Sequence, residues 1–135
     1  MAEYKRDNEG YIIIKEGKHE FADEEVKVYG KAVVTVKGSS RVYAYGSSIV
    51  YAYGSSEVVA HESSKVVTQD SSEVVAHESS KVVAFDTSKV YAYGFSVAST
   101  FDTSKVVAFD TSTVRAFGSS TVEAYDNAKI VADSR

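Results

Sequence analysis

The stretch SSEVVAHESSKVV occurs twice, at 55–67 and at 71–83, a spacing of 16 residues. A fixed period restricts a chain to architectures in which one small unit stacks on its copies. From 39 to 126 the sequence divides into eleven octads without a gap, running from SSRVYAYG to SSTVEAYD. With positions lettered a to h, b is Ser in all eleven and d is Val in all but one, where Ala98 stands. Position f is Ala except at Thr68 and Thr100, g is aromatic in eight octads, and h is only Gly, Asp or Glu. Fainter copies flank the array, DEEVKVYG at 23–30, KAVVTVKG at 31–38 and NAKIVAD at 127–133.

A period of eight fits a helix poorly, because helical faces recur at three and four residues. The alternation x-V-x-A-x has period two, so each octad reads as a short strand over c to g and a turn over h, a and b. Gly and Asp at h suit that turn. The Glu at 62 and 78 argues that h does not need a positive φ, a conformation Glu resists. Stacked identical rungs demand constant small volumes inside, so Ser-Val-Ala at b, d and f points inward and c, e and g point outward. The opposite orientation would bury Gln69, His61 and His77. The fold class expected is all-β, a parallel β-solenoid. Like residues recur best at lag 16, which predicts two octads per coil and about seven coils, roughly 34 Å at the spacing of paired strands. A triangular coil of three octads also keeps b, d and f in register. Residues 1–22 depart from the octad and read as an N-terminal cap on the solenoid of 23–135.

The run S-S-x-V-x-A-aromatic-G/D resembles the octapeptide-repeat β-solenoid proteins of bacterial and phage genomes, over about 110 of the 135 residues. The resemblance implies a fold and is nearly silent on activity. More loosely, the plan is similar to pentapeptide-repeat proteins, whose quadrilateral helices imitate duplex DNA.

The chain has no Cys, no Trp and no Pro, and its formal net charge is −4. It offers no disulfide or thiolate chemistry and suits a reducing, cytoplasmic compartment. No run of 18 apolar residues is present, so no membrane span is expected. The start MAEYKRDNEG lacks an apolar signal core. Residues 57–110 hold eight acids against four lysines, so direct nucleic-acid binding is not expected. The Ser residues lack a base and an orienting partner. No Gly-rich phosphate loop appears, and no cofactor is expected. His61 and His77, with Glu62 and Glu78, form a metal-ligand pattern, but surface positions in a copied repeat explain it better.

Two features point to binding rather than catalysis. Glu62, Asp70, Glu78, Asp86, Asp102 and Asp110 at h form acidic corners suited to a basic groove in a DNA-binding partner. Tyr43, Tyr45, Tyr51 and Tyr53 read as a dense aromatic patch, and Phe85, Phe101 and Phe117 as a ladder, with Phe95 at a nearby turn. A C-terminal rung without a cap, or an aromatic face, predicts a homodimer. The expected function is a non-enzymatic phage or mobile-element inhibitor that blocks a host nucleic-acid-binding complex by occlusion or DNA mimicry. The alternative is a structural solenoid of a virion or filament.

Overall fold

The computed structural model describes residues 4–132. Sixteen strands form two parallel sheets that face each other. The odd strands make sheet A: β1 (Ile12–Ile14), β3 (Glu25–Val28), β5 (Arg41–Ala44), β7 (Glu57–Ala60), β9 (Glu73–Ala76), β11 (Lys89–Ala92), β13 (Lys105–Ala108) and β15 (Thr121–Ala124). The even strands make sheet B: β2 (Lys18–Ala22), β4 (Val33–Lys37), β6 (Ile49–Ala52), β8 (Lys65–Thr68), β10 (Lys81–Ala84), β12 (Val97–Thr100), β14 (Thr113–Ala116) and β16 (Lys129–Ala132). Each octad is half a coil, and strands pair at lag 16, as in Glu57↔Glu73 and Lys65↔Lys81. The duplicated stretch therefore occupies two successive coils, and the fold is a two-sided parallel β-solenoid.

There are eight rungs per sheet because β1 and β2, within the segment read as a cap, carry the first rung. That first pairing runs at lag 15 in sheet B, Lys18↔Val33. The turns after β1 and after β2 are each one residue shorter than the later ones. Asp23 thereby takes the h place with φ 55°, although the copy DEEVKVYG aligns it with a. Tyr4 lies edge-on to Phe21 at 4.9 Å and to His19 at 5.5 Å, at the first rung. Asp7 and Glu9 hold the Lys27 ammonium of β3, and that contact keeps the Asp7 carboxyl below its ordinary range.

The core is what the constant positions dictate. The Val at d and Ala at f from β3 to β13 are buried, and the Ser at b from Ser40 to Ser112 are buried with them. Most of the buried Ser hydroxyls donate to the carbonyl of residue g three positions earlier, as in Ser64 Oγ to His61 O at 2.7 Å and Ser112 Oγ to Phe109 O at 2.7 Å. Ser72 and Ser104 reach the h carbonyl one coil earlier, and Ser48 and Ser88 have no partner among the described residues. Stacking continues through the turns. The N–H of a donates to the carbonyl of h one coil earlier, as in Ser63 to Gly46 at 3.0 Å, so the ladder wraps the whole coil. The octad at 95–102 exchanges volumes within one rung, with Ala98 in the Val place and Thr100 in the Ala place, and both are buried.

The turn corrects one expectation. Every h residue described has φ near +60°, including Glu62 at 60° and Glu78 at 59°. Glu tolerates the left-handed conformation here because its carboxylate gains a partner there. Glu78 Oε1 accepts the N–H of Glu62 at 2.8 Å, and Glu62 Oε1 accepts that of Gly46 at 2.7 Å.

Candidate functional site

The two rows of turns give the solenoid two corners. Glu62, Glu78, Asp110 and Asp126 lie on the corner that leads from sheet A to sheet B. Asp70, Asp86 and Asp102 lie on the corner that leads back. Each carboxylate reaches one coil back and accepts the N–H of the h residue there. Asp102 Oδ2 accepts from Asp86 at 3.0 Å, Asp86 Oδ2 from Asp70 at 3.0 Å, and Asp70 Oδ2 from Gly54 at 2.9 Å. Asp110 does the same to Gly94 at 2.9 Å. The acidic corners are thus part of the fold as well as a charged surface. These residues remain exposed. Among the described residues, no Lys or Arg nitrogen lies within 4.0 Å of Asp70, Asp86 or Asp102, because the lysines at c stand on the flat faces.

Just inside each acidic row runs a column of half-buried rings at g. On the first corner Tyr29, Tyr45, His61, His77, Tyr93, Phe109 and Tyr125 stack in one unbroken series, with centroids 4.8–5.2 Å apart. On the second corner Phe85, Phe101 and Phe117 stack at 5.0 and 4.9 Å, so the expected ladder is formed. Near-parallel rings at the rung spacing stabilise the coils against one another. His61 and His77 are stacked members of the first column, 5.1 Å apart and 8° from parallel. Among the described residues no group of three or more His, Cys, Asp or Glu is placed to hold a metal.

The tyrosine patch is not formed. Tyr43 and Tyr45 share a hollow of about 220 Å³ with Tyr11 and Lys27 beside sheet A. Tyr51 lies on the outer face of sheet B, in a hollow of about 610 Å³ with Lys18, Glu20 and Ile49. Tyr53 follows Tyr51 at the second corner, on the sheet B side of the solenoid. Consecutive octads face opposite ways, so closeness along the chain separates these side chains in space. For the same reason Phe95 stands on the first corner, away from the Phe ladder on the second.

The structure also sorts charge in a way that counting along the chain misses. The outer face of sheet A carries Glu25, Glu57, Glu73 and Glu123 against Lys27, Arg41, Lys89 and Lys105, which balance. Several are paired, as in Arg41 to Glu57 at 3.1 Å. The outer face of sheet B, with the a positions that open it, carries Lys18, Lys31, Lys65, Lys81, Arg115 and Lys129 against Glu20 alone. Lys65 stacks directly on Lys81, between Ile49 and Val97, so its column supplies no carboxylate.

No family model matches the sequence, and neither the curated proteins nor the solved structures give a match.

Proposed function

We propose that the protein is a non-enzymatic binding module whose acidic corners dock into the basic groove of a nucleic-acid-binding protein and block it. The observation that carries this reading is the row Asp70, Asp86 and Asp102. Its carboxylates are held at one spacing by backbone hydrogen bonds and have no basic partner within 4.0 Å among the described residues. From Glu62 to Asp126 the two corners carry seven acids over five coils, with Gly94 and Gly118 interrupting them. At rungs about 4.8 Å apart this is roughly one charge per 3.4 Å of axis, about half the density of duplex DNA at one per about 1.7 Å. Rigidity favours the same reading, since a preset array loses little freedom on binding. A phage or mobile-element inhibitor of a host complex fits this plan.

The test is capture of DNA-binding proteins from a bacterial lysate by the wild type and by the triple variant Asp70→Asn, Asp86→Asn, Asp102→Asn. Asn adopts the same left-handed conformation and its amide oxygen accepts the same N–H, so the fold persists while the charge is removed. Salt-sensitive capture of a DNA-binding complex by the wild type and its loss in the variant is the expected result. Equal capture by both would refute the reading. The exposure of Tyr125, Ile130 and Val131 favours a second reading, self-association into a dimer or a longer assembly. Light scattering separates these outcomes, and a monomer mass at high protein concentration removes both.

A further inference from the structure

The outer face of sheet B combines three observations that the corner rows do not use. It is basic in a chain whose net charge is −4. Its central cations are not neutralised: among the described residues no carboxylate oxygen lies within 4.0 Å of Lys65, Lys81 or Arg115. Sheet A treats stacked like charges differently, since Arg41 borders the Glu57–Glu73 pair on one side and Lys89 on the other. Stacked like charges are unfavourable in a sheet; sheet A also stacks Lys89 on Lys105 but sets Glu73 beside them, whereas the Lys65–Lys81 pair lies between Ile49 and Val97.

The third observation is Phe95. Position a is Ser or Thr in the other ten octads, and Phe95 is 70% exposed. It follows Ser79 in the a column, one coil beyond the hollow of about 410 Å³ lined by Ser47, Ile49, Ser63, Lys65, Ser79 and Lys81. The same octad places Val97 where Lys stands one coil earlier, and the next octad of sheet B places Arg115 beside Ser99 in column e. An exposed aromatic anchor beside unpaired cations is the composition of a protein-binding hot spot.

We infer that this face docks an acidic polypeptide segment bearing an apolar side chain, with Phe95 as the anchor and Lys65, Lys81 and Arg115 as the charge partners. The shape of the strip favours a polypeptide over duplex nucleic acid. Four strand residues span about 13 Å, and a carboxylate row borders each side, Glu62 and Glu78 on one edge and Asp70 and Asp86 on the other. The closely spaced phosphates of a duplex would meet those rows. A single extended acidic segment lies between them.

The test is fluorescence anisotropy with the full chain and a short labelled peptide rich in Glu and carrying Leu. Saturable binding is expected, weakened about tenfold or more by Lys65→Glu with Lys81→Glu, an effect of at least about 1.4 kcal/mol. Phe95→Ser, which restores the residue common at position a, is expected to weaken it several-fold without disturbing the fold. Lys89→Glu with Lys105→Glu on sheet A is expected to leave it unchanged, and the Asn triple variant of the corners, which removes acids bordering the strip, is expected not to weaken it. The last control separates this surface from the corner rows. Absence of saturable binding, an equal loss from the sheet A variant, or equally tight binding of a labelled oligothymidylate would each overturn the inference.

Discussion

Asp86 at position h tests why the turns accept acids. Its φ is 61°, its Oδ2 accepts the N–H of Asp70 at 3.0 Å, and its own N–H donates to Asp102. Ala at this position keeps the left-handed strain and loses the acceptor. Strain of this kind is about 1 kcal/mol for a residue without a local hydrogen bond. Loss of the charge-assisted bond adds about 1 kcal/mol, less than the roughly 1.5–3 kcal/mol of buried bonds to charged groups, because the freed N–H is near solvent. Asp86→Ala is therefore expected to destabilise by about 2 kcal/mol. Asp86→Gly removes the strain along with the acceptor and should cost about 1 kcal/mol or less. Asp86→Asn keeps both features and should be close to neutral. Urea unfolding followed by circular dichroism measures the series. If Gly is as damaging as Ala, strain is not the cause; if Asn is as damaging as Ala, charge and not geometry holds the corner. Either result would refute the account of h.

Three further outcomes follow from the core and the columns. Thr68 Oγ1 and Thr100 Oγ1 are buried without a hydrogen-bond partner, so Thr68→Val and Thr100→Val should each stabilise by about 1 kcal/mol in the same assay. Phe101→Ser breaks two ring contacts, to Phe85 at 5.0 Å and Phe117 at 4.9 Å, and should cost about 1–3 kcal/mol if the ladder serves the fold. No loss of stability would assign that ladder to a partner instead. Burial, and to a lesser degree the neighbouring His61, lowers the His77 pKa below 6.5, while Glu78 opposes the shift. The unfolded chain then binds more protons below pH 6.5, so stability should fall as pH drops through that value, until folded His77 also titrates. His77→Tyr, which keeps a ring between His61 and Tyr93, should flatten the melting temperature between pH 6.5 and 5.

Much of the architecture was legible because one constraint dominates it. Only small, constant residues satisfy a core that repeats at every rung, so Ser, Val and Ala at b, d and f declared their side. Lag-16 identity gave the coil, since like rings and like turns gain from stacking on their own kind. The φ of Glu62 and Glu78 was hidden because intrinsic preference opposes it, and the compensating hydrogen bond comes from a residue 16 positions away. The tyrosine patch and the basic face were misread or missed for one geometric reason. Adjacent octads belong to opposite sheets, so Tyr43 and Tyr51, eight residues apart, never meet, whereas Lys65 and Lys81 do. Sorting c and e by alternate octads separates the two faces without coordinates.

The pairing at lag 16 also sets how such a chain can change length. Removing or adding sixteen residues shifts everything beyond by a full coil and restores every column: His meets Tyr, Asp meets the next N–H, and each face keeps its charge. Removing eight leaves the Ser-Val-Ala interior intact but exchanges the faces for all later rungs, so Lys65 and Phe95 would be severed from one another's side. The interior is blind to that difference and the exterior is not. Growth by whole coils is therefore neutral for both, and the twice-written stretch at 55–67 and 71–83 has the form such a step would leave.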